Sequence, residues 1–116
     1  MVAKDPVVIN GLNKRQFYRI VFPPQARPQI TFNGFTCYCS EISEGGGRIL
    51  VGKLLKPRVD FDTPATLTFP DGTEYSTRIS FHRSTPTEII VTFKPLITCP
   101  VILGQQRWLI SRYSCR

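Results

Sequence analysis

The chain has 116 residues, 41% hydrophobic and 20% charged, a composition that suits one folded domain long enough for a hydrophobic core. Its formal net charge of +7 favours an anionic partner, whether nucleotide, nucleic acid or membrane headgroup, without choosing among them. The longest apolar run, Leu96 to Leu103, is too short to cross a bilayer, and MVAKDPVV at the start does not read as a secretion signal.

Residues 1–14 read as a flexible N-terminal arm, since terminal segments order only when tied down, and 15–116 as a single domain. At the junction stands NKRQFYR, where Arg15 and Arg19 lie four residues apart behind Lys14, with Phe17 and Tyr18 between them. Next, QITF leads through Asn33-Gly34 into FTCYCSEIS, a hairpin signature, and GGGRILVG reads as a further strand. The stretch KLLKPRVDFDTP reads as a basic surface loop. ATLTF, Pro70-Asp71-Gly72 and TEYSTRISFHR form a second hairpin pattern, and STPT turns the chain into the apolar strand EIIVTFKPL. About six β-rich runs within some ninety residues fit an antiparallel barrel or sandwich.

The tail changes period. Ile102, Leu109 and Tyr113 recur at helical intervals, as do Val101 and Trp108. Pro100 suits a helix start, with Thr98 or Cys99 as cap, and Gly104 weakens the helix by about 1 kcal/mol against alanine. The residues alone therefore point to a mainly β fold, an antiparallel barrel or sandwich of about six strands, with a short C-terminal α-helix at about 99–113.

Catalytic chemistry has little to rest on. The sole histidine, His82, has no suggested nucleophile or orienting acid and reads as a surface residue near a turn. Asp60, Asp62 and Asp71 fall in loops, where aspartate commonly bonds local backbone. No GxxxxGK[ST] occurs, because Gly45-Gly46-Gly47 is followed by Arg48. Cys37, Cys39, Cys99 and Cys115 are expected to be reduced thiols in a cytosol, and Cys37 and Cys39 share one strand face as small hydrophobes. A zinc site lacks its CxxC spacing and a second histidine. No enzyme, metal or cofactor is expected.

Binding has more support. The planar forks of Arg15 and Arg19 match phosphate oxygens two at a time, and equally the O6 and N7 acceptors of guanine. In EISEGGG, Glu41 and Ser43 share a face with Ile42 directed to the core, and the glycines permit a tight turn with positive φ and a close ligand approach. An acid there accepts from the N1 and N2 donors of guanine, and a serine hydroxyl donates or accepts. Taken singly, the two elements also fit a solvated basic turn and a glycine-rich loop.

Together, an Arg-x-x-x-Arg element ahead of the first strand and Glu41-Ile42-Ser43-Glu44-Gly45-Gly46 on a later strand resemble the PilZ domain family. QQRWLISRY likewise resembles the family's closing helix, so the resemblance spans about Asn13 to Tyr113. It implies a six-stranded antiparallel Greek-key barrel with a short C-terminal α-helix, and a cytoplasmic bacterial receptor for the second messenger cyclic di-GMP, acting on an unidentified protein partner. The resemblance implies that Arg15 and Arg19 contact phosphate and the guanine acceptor edge from a closing arm. It gives Lys14 added charge, Ser43 a polar contact, and Gly45 and Gly46 the turn. Glu41 stands where the family usually carries Asp or Asn; its extra methylene shifts the carboxylate enough to misalign a hydrogen bond to guanine or crowd Ser43, and the alternative is a pair with Arg15 or Arg19 that holds the arm closed without ligand. Two other readings compete: a PilZ-like adaptor that works by protein contacts alone, and a basic barrel binding single strands through Phe17, Tyr18, Phe35 and Tyr38. Phe35 and Tyr38 point to opposite strand faces, which puts nucleic acid last among the partners.

Overall fold

A computed structural model of the chain describes residues 19–52 and 57–113. The strands are β1 (Arg19–Val21), β2 (Gln29–Phe32), β3 (Phe35–Ser43), β4 (Gly46–Leu50), β5 (Thr63–Thr68), β6 (Glu74–Ser84) and β7 (Glu88–Phe93), followed by helix α1 (Cys99–Tyr113). A 3-10 turn at Pro24–Ala26 links the first two strands.

Local sequence explains the joins. Asn33 and Gly34 adopt φ of 50° and 80°, the left-handed pair that a two-residue hairpin turn demands, and so Phe32 faces Phe35 across β2 and β3. Pro70-Asp71-Gly72 reverses the chain between β5 and β6, with Gly72 at φ 94° and the Asp71 carboxylate accepting from the Thr73 amide at 2.9 Å. The strands pair antiparallel in the order β3-β2-β5-β6-β7-β4, and β4 returns to β3, closing a six-stranded barrel with no free edge. The seventh strand, β1, lies outside this count: it pairs with the far half of β3, Arg19 opposite Ser43 and Val21 opposite Glu41. Arg19 is therefore a residue of the sheet and not part of an arm ahead of it; Ile20, buried beside it, anchors the strand.

Alternation directs the core inward. Ala65 and Leu67 on β5, Ile79 on β6, and Ile89, Val91 and Phe93 on β7 fill the barrel with Ile30, Ile42 and Ile49. Cys39 belongs to this core, and burial, then the neighbouring Cys37, pushes its thiol far above the ordinary range. Cys37 sits on the same face, half-buried, its thiol also raised by burial. Among the described residues no group of three or more His, Cys, Asp or Glu is placed to hold a metal ion.

The helix starts where Thr98 offers its carbonyl to the amides of Val101 and Ile102, so Thr98 occupies the cap position. Ile102 is fully buried, and Val101 and Leu109 pack against the same core. Gln105, also buried, reaches the β5–β6 turn and donates to Asp71 Oδ2 at 3.1 Å. Burial alone would raise the Asp71 carboxyl, but hydrogen bonds from Thr73 and Gln105 outweigh it and leave it below the usual carboxylate value.

Two expectations change. The loop before β5 is not wholly a surface feature, because Pro57 and Val59 turn inward and Val59 joins the core. Asp60 and Asp62 hold arginine side chains with their carboxylates: Asp60 pairs with Arg58 at 2.9 Å and Asp62 with Arg78 at 2.7 Å. Asp71 alone of the three makes the turn contact expected. Among the described residues no helix is long and apolar enough to cross a membrane. The arm at 1–14, together with Arg15, Phe17 and Tyr18, lies outside the described residues, as does the side chain of Tyr113.

Candidate functional site

Two β-bulges shape the outer face of the barrel. Register shifts between Cys39 and Glu41 on β3, and between Phe81 and Arg83 on β6. A bulge bends its strand and re-aims the residues beside it. One consequence is a row across five strands: Val21 opposite Glu41, Glu41 opposite Arg48, Arg48 opposite Ile90, and Ile90 opposite Arg83. Ile42, next to Glu41, is fully buried, which turns Glu41 and Ser43 outward as the alternation requires.

An open cleft of about 280 Å³ lies along this row. Arg19, Glu41, Ser43, Gly45 and Gly46 line its β1–β3–β4 side. Lys14 and Arg15 lie outside the described residues. The opposite side holds residues that sequence reasoning did not select: Arg48 on β4, His82 and Arg83 on β6, and Ile90 on β7. Arg48 was legible as the basic residue ending the glycine run. Nothing local marked His82 and Arg83, because only the β6–β7–β4 pairing brings them to this cleft. His82 is exposed and close to the β6–β7 turn, as the sequence suggests, and from its bulged strand it also lines the cleft.

A chain of polar contacts runs through the cleft. Arg19 Nε lies 2.6 Å from Glu41 Oε2, and Arg48 Nε lies 3.4 Å from Glu41 Oε1. Arg48 Nη1 donates to Glu88 Oε1 at 2.9 Å, and Ser40 donates to Glu88 Oε2 at 3.0 Å. Glu41 does pair with Arg19, then, but as a cross-strand link within the sheet, and it holds Arg48 as well. Its side chain is only 17% exposed against 43% for Arg19, so the carboxylate is the fixed partner and the guanidinium the freer one.

The glycines have a packing reason. Gly46 and Gly47 are extended strand residues, and the positive-φ positions among the described residues are Asn33, Gly34, Asp62 and Gly72. A Cβ on Gly46 would collide with the Val91 carbonyl oxygen of β7, and one on Gly47 would sit 3.1 Å from the Glu41 carbonyl oxygen. The run is thus needed where three backbones converge, not for a left-handed conformation at Gly46 or Gly47. The Ser43 hydroxyl donates to the Gly46 carbonyl at 3.3 Å and closes the β3–β4 turn.

No family model matches the sequence, and no curated protein matches it. Solved structures do resemble the fold. The uncharacterised Legionella protein Lpg0364 superposes with a TM-score of 0.58 at 14% identity, over 82% of this chain and 97% of that one. Escherichia coli YcgR, in complex with c-di-GMP, gives 0.52 at 16% identity over 84% of this chain and 45% of its own. The Bacillus subtilis inhibitor of motility MotI/DgrA gives 0.50 at 15% identity over 86% and 49%. The chain spans about half the length of those last two proteins. The fold is PilZ-like.

Proposed function

We propose that this protein is a non-catalytic receptor for cyclic di-GMP that passes the signal to a protein partner. The observation that carries the reading is the cleft itself. It gathers Arg19, Glu41, Ser43, Gly45 and Gly46 on a barrel whose fold resembles that of YcgR, a protein solved with c-di-GMP bound.

The chemistry follows from the donors present. Arg19 offers a planar fork to phosphate or to the guanine O6 and N7, and Glu41 accepts from guanine N1 and N2 once Arg19 has left it. The exchange is favourable in magnitude: a partly exposed ion pair is worth about 0–1 kcal/mol, while a hydrogen bond to a charged group contributes about 1.5–3 kcal/mol. Lys14 and Arg15, immediately upstream, add charge as the arm closes over the dinucleotide. Ordering of that arm presents or covers the surface read by the partner.

A second reading has one specific observation in its favour. Glu41 already engages Arg19 and Arg48, so these two cations are held without ligand, as an adaptor acting through protein contacts alone would require. Thermal melting separates the two. Cyclic di-GMP at a hundredfold excess over its Kd adds about 2.7 kcal/mol of stability, a rise of several degrees. No shift at millimolar cyclic di-GMP selects the adaptor.

A further inference from the structure

Three arginines and one glutamate line the cleft, an excess of two positive charges. The three are not equivalent. Arg19 and Arg48 are both held by Glu41, and Arg48 also by Glu88. Arg83 is exposed and makes no ion pair or side-chain hydrogen bond among the described residues. It reaches the cleft because the bulge after Phe81 puts it opposite Ile90.

We propose that Arg83 is a phosphate-binding residue of this cleft, supplying a second cation from the wall across from Arg19; the inference rests on the cyclic di-GMP reading above. Spacing supports it. Arg48, Ile90 and Arg83 stand on three successive strands, so two strand spacings, roughly 10 Å, separate the outer cations. Ile90 gives an apolar floor between them on which a base can rest, with its phosphates directed to either side. His82, beside Arg83 and also without a partner among the described residues, extends the same wall with a planar ring. A free guanidinium needs no pair broken before it engages an anion. Arg83 therefore makes the first contact with an incoming dianion, and Arg19 exchanges its partner afterwards.

The test is calorimetric titration of the full chain with cyclic di-GMP at low salt, comparing the parent with R83A, R83K and R58A. Arg58 is an exposed arginine on the loop before β5, outside the cleft, so R58A removes the same charge elsewhere. The proposal predicts that R83A binds roughly tenfold or more weakly, that R83K lies between, and that R58A matches the parent. Melting temperatures of the free variants should stay at the parent value, since Arg83 is exposed and has no ion pair among the described residues. R83A within twofold of a binding parent overturns this proposal while leaving the receptor reading intact. Equal losses in R58A and R83A also overturn it, by showing a whole-molecule charge effect. A parent that does not bind overturns both.

Discussion

Glu41 is the residue on which the site turns. It faces Val21 on one side and Arg48 on the other, and its two oxygens serve two guanidinium groups. Aspartate, shorter by one methylene, cannot keep both contacts from the same backbone position. E41D should therefore release Arg19 and bind cyclic di-GMP several-fold more tightly, measured by calorimetry; affinity equal to the parent contradicts the latch. Asp71 makes a second prediction. Its folded carboxyl is depressed, so the stability it contributes is present above its unfolded value and lost as pH falls through the lower folded value. Melting temperature should thus decline in the acid range, and D71N should flatten that decline. An identical pH profile in D71N removes Asp71 from the hairpin–helix link.

At the level of elements, the glycines divide into two kinds. Gly46 sits where the β7 backbone leaves no room, whereas a Cβ on Gly104, within α1, meets nothing within 4 Å. G104A should stabilise the protein by about 1 kcal/mol through helix propensity. G46A should cost about 2 kcal/mol or more, because β7 must shift. Chemical denaturation measures both, and equal effects would contradict this account of the strand crowding. Element scale is also where the sequence was most readable. Asn33-Gly34 and Pro70-Asp71-Gly72 carried both hairpins, and the period change after Ile97 marked α1 at its observed bounds. Arg19 was misread because a three-residue strand is too short to show an alternation, and only pairing with Ser43 and Glu41 defines it. The wall formed by His82, Arg83 and Ile90 was invisible for a related reason. It depends on register among β4, β7 and β6, set by a bulge that no local pattern announces.

For the whole molecule, a closed barrel with an aliphatic core leaves little scope for backbone change on binding. Within the barrel, a ligand response has to come from side chains that exchange partners. The positive excess in the cleft, on a chain of net charge +7, also steers an anionic ligand toward it and makes association fall with salt. Calorimetric titration of the unmodified chain with cyclic di-GMP, with GTP as the comparison anion, tests the receptor reading most directly. Saturable heat with cyclic di-GMP and none with GTP is the predicted result; no heat with cyclic di-GMP, or equal heat with both, would contradict it.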